Sequence, residues 1–106
     1  MRAIRLGEFE ELTLLAVRAL EAPVYAVPIQ RFIADATGRD LAMGAVYAAL
    51  ERLELKGFLR STLGESTRER GGKRKRLYVV TAPGLRLLGD LRRVRERIWH
   101  VIEQKH

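Results

Sequence analysis

The side chains best placed to do chemistry in this 106-residue chain are cations. The stretch "RERGGKRKR", residues 68–76, sets six basic groups in nine positions around Gly71 and Gly72. Ammonium and guanidinium groups at that density bind phosphate oxygens through charge-assisted hydrogen bonds. Other chemistries lack their parts. There is no cysteine, which removes disulfides, thiolate metal sites and thiol nucleophiles. His100 and His106 have no companions at metal-ligand spacing, so no metal site is expected. No nucleophile–base pairing or paired carboxylates in an apolar setting are visible, and Gly71-Gly72 is flanked by charges, as in a tight turn rather than a phosphate-cradling loop. The sequence thus reads as a binding protein without cofactor, and not as an enzyme.

The net charge of +7 is unevenly spread. Residues 58–80 hold Arg60, Arg68, Arg70, Lys73, Arg74, Lys75 and Arg76 against Glu65 and Glu69, seven minus two, or +5. Most of the excess therefore sits in about one fifth of the chain, the electrostatic footprint of a polyanion binder. Hydrophobic residues make up 47%, enough to bury a modest core. No apolar run reaches membrane-spanning length. Arg2 and Arg5 before an apolar stretch imitate a signal peptide, but Glu8, Glu10 and Glu11 interrupt it and no small-residue cleavage site follows. A cytoplasmic protein is the expectation.

Such cations need a scaffold, and the hydrophobic periodicity supplies one. Phe9, Leu12, Thr13, Ala16 and Leu20 predict a first helix over 7–20, ended by "EAPV". Ile29, Phe32, Ile33 and Ala36 form the stripe of a second over 25–37, with Pro28 in its first turn and Gly38 as a left-handed cap. Met43, Val46, Leu50, Leu53 and Gly57 repeat by 3-4-3-4 and predict a third over 43–57. The period then changes: "FLRSTL" (58–63) and "KRLYVV" (75–80) are strand-like and flank an eleven-residue stretch with no apolar side chain. Thr81 as N-cap with Pro83 in the first turn opens a last helix. Its seam, Leu87, Leu91, Val94, Ile98 and Val101 with Leu88 and Ile102 widening it, runs past what so small a domain covers, so a second copy of the helix is its expected partner. Leu85 and Leu88 are the residues expected to pack back on the body.

The order helix–helix–helix–strand–basic loop–strand is that of a winged helix. The fold expected is mainly α with a small β-hairpin: a winged helix-turn-helix DNA-binding domain over 1–80 and a C-terminal dimerisation helix over 81–106. The third helix presents Gly44, Ala45, Ala48 and Ala49, small enough to sit near base edges, and Tyr47 brings a hydroxyl. The wing, 64–75, supplies cations for the flanking phosphates, with Lys73, Arg74 and Lys75 the preferred contacts. Glu51 and Arg52 lie late in the helix and suit surface ion pairs at least as well as DNA. Tyr78 reads as packing at the core rim. Trp99, the only tryptophan, has two readings: packing at the helix–helix interface, or a flat wall for a small aromatic effector. The alternative to an operator-reading regulator is a winged-helix interaction module that binds protein or RNA without operator specificity.

"LGEFEELTLLAVRAL", "VYAVPIQRFI", "GAVYAALERLELKGFLRS" and "GESTRERGGKRKRLYVVTAPG" together resemble the PadR family of bacterial transcriptional regulators, over about residues 6–85. The single helix that follows is similar to the short branch of the family, in which it makes the dimer. The resemblance implies a homodimeric repressor of a roughly palindromic operator, with DNA contacts from Tyr25, Met43, Gly44, Ala45, Tyr47, Ala48, Arg70, Lys73, Arg74 and Lys75. It also implies an effector wall at Trp99, since some members sense phenolic or planar compounds. Two positions depart from the family pattern. Ala42 stands where a hydroxyl residue often caps the third helix, and Pro28 replaces a common acidic residue.

Overall fold

A computed structural model describes residues 6–21, 23–64 and 74–105. The elements run α1 (Glu8–Ala19), α2 (Ala26–Thr37), α3 (Met43–Leu55), β1 (Leu59–Leu63), β2 (Arg76–Val80) and α4 (Ala82–Glu103). This is the winged-helix order expected from the sequence: four helices and one two-stranded antiparallel hairpin.

Each helix ends where its residues dictate. Glu21, at φ 64°, takes the left-handed conformation that stops α1 ahead of Pro23. Gly38, at φ 68°, caps α2 and donates its amide to the Ala34 carbonyl at 2.8 Å. Gly57, at φ 85°, closes α3, with the Phe58 amide reaching back to the Leu53 carbonyl at 2.9 Å. Helix α3 therefore stops two residues before the glycine, because a residue in the left-handed region lies outside the helix it caps.

Val46, Leu50 and Leu53 form the buried stripe of α3 and share one core cluster with Leu14 and Val17 of α1 and Ile29 and Ile33 of α2. Ala49, grouped in the sequence with the exposed small residues, is fully buried. In the hairpin Leu59 pairs with Val80 and Leu63 with Arg76, and the Gly64 amide prolongs the ladder to the Lys75 carbonyl at 2.7 Å. Val24, between α1 and α2, exchanges backbone hydrogen bonds with Tyr78 at 3.1 and 2.8 Å, which stitches the α1–α2 link to the wing. Tyr78 is buried, and burial pushes its hydroxyl pKa above the ordinary value.

Helix α4 starts against the body. The Thr81 hydroxyl accepts from the Gly84 amide at 3.2 Å and donates to the Gly57 carbonyl at 2.7 Å. Leu87 is buried in the core of its own chain, and Leu88 and Leu91 pack against that core. Leu87 was expected in the intersubunit seam; on the first turns of α4, its burial in the chain's own core assigns it there instead. Leu85 is the reverse case, exposed where inward packing was expected. Beyond Leu91 the helix becomes an arm whose apolar side chains Val94, Ile98, Trp99, Val101 and Ile102 are all exposed, tied to α1 by the Arg95–Glu11 pair. The radius of gyration, 15.8 Å, exceeds the roughly 13 Å of a compact chain of this length, which is the signature of that projecting arm. Among the described residues no helix is long and apolar enough to cross a membrane.

Candidate nucleic-acid interface

The exposed face of α3 is built from its first two turns. Gly44 and Ala45 are exposed, Ala48 is half-buried, and Tyr47 stands out at 53% exposure. Met43 packs its side chain against the core, so it offers the face mainly its backbone. No side chain caps the helix, because Ala42 at the N-cap has no acceptor. The Ala45 amide turns back to the Ala42 carbonyl at 3.1 Å, and the amides of Met43 and Gly44 are left to solvent or to a phosphate. The loop before α3 is fixed from elsewhere: Gln30 donates its side-chain amide to the Leu41 carbonyl at 2.9 Å.

The wing meets this face. Tyr25, Tyr47, Arg74, Lys75, Arg76 and Tyr78 line one hollow of about 320 Å³. The ammonium of Lys75 lies 3.6 Å from the centre of the Tyr25 ring, a cation–π contact that orients the lysine while leaving its three protons for an anion. The Val24–Tyr78 pairing explains the meeting, since it brings Tyr25 to the base of β2. Four residues singled out in the sequence, Tyr25, Tyr47, Arg74 and Lys75, are thus brought together. Arg70 and Lys73 lie outside the described residues, so the structure does not place them.

Two carboxylates missed as part of the site hold its frame. Glu54, on α3, accepts from the Ser61 amide at 3.2 Å and from the Ser61 hydroxyl at 2.7 Å, and Arg76 of β2 donates to the same hydroxyl at 3.0 Å. This chain ties the end of α3 to both wing strands. Glu10, on α1 and only 7% exposed, accepts from Arg52 and Lys56 at 2.7 Å each. The Lys56 hydrogen bond, helped by Arg52, holds its carboxyl below the ordinary value of 4.5 against the opposing effect of burial. Arg52 is therefore engaged behind α3 and not on the DNA side. The Glu54 link could have been sought at sequence level, because its partners are near in the chain. Glu10 gave no such signal, its partners lying 42 and 46 residues away. Among the described residues no His, Asp and Glu cluster could hold a metal ion.

A recognition helix with a small, open face, a basic wing beside it and a frame of internal ion pairs define a winged-helix DNA-binding protein. The sequence profile of the transcriptional regulator PadR-like family matches residues 14–90, and the chain belongs to that family. It is a DNA-binding transcriptional regulator by family, and the family's members are not enzymes. No curated protein sequence matches it. Among solved structures it is similar to a PadR-like transcription factor of Bacteroides fragilis (22% identity, TM-score 0.76, covering 92% of this chain and 89% of that one). A PadR family regulator of Clostridium difficile R20291 is also similar (22%, 0.72, 92% and 97%), as is one of Eggerthella lenta DSM 2243 (28%, 0.64, 92% and 80%).

Proposed function

We propose that the protein is a cytoplasmic homodimeric repressor that reads a palindromic operator. The observation that carries this reading is the shared hollow, in which two tyrosines and the wing cations Arg74 and Lys75 converge beside the open face of α3. Gly44, Ala45, Tyr47 and Ala48 enter the major groove, and the wing holds the flanking phosphates. The exposed α4 residues Val94, Ile98, Val101 and Ile102, with half-buried Leu91 at their root, join two copies. The joint sets two reading heads one groove repeat apart, roughly 34–36 Å. Trp99, 60% exposed, lines an apolar groove of about 430 Å³ between α1 and α4, where a small aromatic effector alters the separation of the heads.

The test is a binding series with the duplex upstream of the gene and a scrambled duplex of equal length at physiological salt. Preference for the upstream duplex is expected, and equal affinity for both overturns operator reading in favour of an unspecific module. Replacing Arg74 and Lys75 by alanine should flatten the salt dependence by about 0.9 of slope per lost phosphate contact. An unchanged slope removes both cations from the interface.

A further inference from the structure

Helix α1 lies between the two working parts of the molecule and touches each through one of two adjacent carboxylates. Glu10 faces α3 and accepts from Arg52 and Lys56, which stand one turn apart on that helix. Glu11 faces the other way. It accepts from both ends of the Arg95 guanidinium on α4, Nε at 3.0 Å and Nη2 as well. Successive residues differ by about 100° around a helix axis, so one short stretch of α1 addresses both neighbours.

The Glu11–Arg95 pair is also part of the apolar groove. Both residues line it, together with Leu15, Leu88 and Trp99, and Trp99 lies one turn beyond Arg95 on the same face of α4. The contact is planar and two-pronged, which fixes an angle as well as a distance. The Glu10 contact has the same character, because two donors converge on one carboxylate that is nearly out of solvent. A rotation or slide of α4 against α1 therefore pulls on a helix that is itself clamped to α3. Packed helices of this kind shift between discrete arrangements instead of bending freely.

From this juxtaposition we infer that Glu10 and Glu11 are positioning residues that couple the α1–α4 groove to the recognition helix. The inference rests on the reading of α3 as the DNA-contacting helix and goes beyond it by naming the path. Coupling of this kind is reciprocal: what the groove does to DNA affinity, DNA does to the groove. No effector is needed to observe it, because DNA itself is the probe and Trp99, the only tryptophan, is the reporter.

The experiment titrates the full-length protein with the fluorescently labelled upstream duplex, reading binding by anisotropy of the label and the groove by tryptophan emission. Binding is expected to shift the Trp99 emission of the wild-type protein. Glu11→Gln should bind the duplex within about threefold of wild type, below the usual range of allosteric coupling, yet lose most of the emission change. Glu10→Gln should lose the emission change and bind more weakly. Where that variant does not fold, Arg52→Gln, which removes the more exposed of the two donors, carries the same expectation. A merely structural role for the carboxylates would change stability and leave the emission response of the bound state intact. Binding with a silent tryptophan, or full responses in Glu10→Gln and Glu11→Gln, overturns this inference alone. Absence of any duplex binding overturns the operator reading and this inference with it.

Discussion

Replacing Gly84 by alanine should cost stability out of proportion to one methyl group. The glycine sits in the first turn of α4, where the helix passes over the end of α3. A Cβ built there would overlap the carbonyl oxygen of Phe58, lie 2.8 Å from a Val80 methyl carbon and stand 3.2 Å from the Phe58 carbonyl carbon. Backbone atoms cannot rotate away, so α4 must lift or the Phe58 peptide must tilt. That peptide accepts from the Thr81 amide at 3.1 Å, and the Thr81 hydroxyl holds the neighbouring Gly57 carbonyl, so both hydrogen bonds are strained together. Overpacking of a closed site costs about 1–3 kcal/mol, and each weakened hydrogen bond adds about 1 kcal/mol. A loss of about 3–5 kcal/mol follows, or at least about 12 °C in Tm for a chain near 100 residues. The control is Gly89→Ala on the same helix, where the new carbon meets only the end of the Arg93 side chain at 3.5 Å. That change should stabilise by about 0.5–1 kcal/mol through helix propensity. Urea unfolding followed by far-UV circular dichroism, at one protein concentration, measures both. Equal stability of the two variants would refute the close-approach argument.

Gly44→Ala has open space around it and should stabilise α3 by up to about 1 kcal/mol. The same methyl lies on the face proposed to meet DNA, so duplex binding should weaken; unchanged affinity would take Gly44 out of the interface. Exchanging Val94 and Ile98 for glutamate should give monomers by static light scattering, and a persistent dimer would move the interface away from the projecting arm. Glu10 supplies a pH dependence. Its folded carboxyl titrates below the ordinary value of 4.5, so its contribution is complete above that pH and disappears as the pH falls through the lower folded value. The stability gap between wild type and Glu10→Gln should therefore be constant from neutral pH to about 5 and close in more acidic solution, as urea unfolding over a pH series would show. A gap that persists at the acid end would mean that the charge of Glu10 is not what holds Arg52 and Lys56.

The fold was legible because its punctuation is chemical and local. Gly38 and Gly57 cap helices through a backbone conformation that glycine adopts freely, and Thr81 with Pro83 opens α4 through hydrogen bonds within one turn. The change from helical to alternating period marked the hairpin for the same reason. Residues whose surroundings come from far along the chain were not legible. Ala49 is fully buried, yet as a small residue beside Ala48 it carries no mark of burial. Leu87 fits a seam of period 3.5 equally well whether its neighbour is a second copy or the chain's own core, and only the angle at which α4 leaves Thr81 decides. Tyr25 and Lys75 are 50 residues apart and meet through a two-residue bridge, Val24 to Tyr78, that no periodicity announces.

The distribution of ion pairs sharpens what the net charge of +7 means. Glu8 holds Arg39, Glu10 holds Arg52 and Lys56, Glu11 holds Arg95, Asp90 holds Arg93 and Glu96 holds Arg92. These carboxylates lie on α1 and α4, and the cations they engage sit on α3 and α4 and just past the ends of α2 and α3. Among the described residues, neither Arg74 nor Lys75 pairs with a carboxylate; the one ring contact of Lys75 leaves its charge unneutralised. Among the described residues a phosphate arriving at Arg74 or Lys75 thus displaces no carboxylate. Within the frame, by contrast, paired charges fix helix against helix and add little to the field outside.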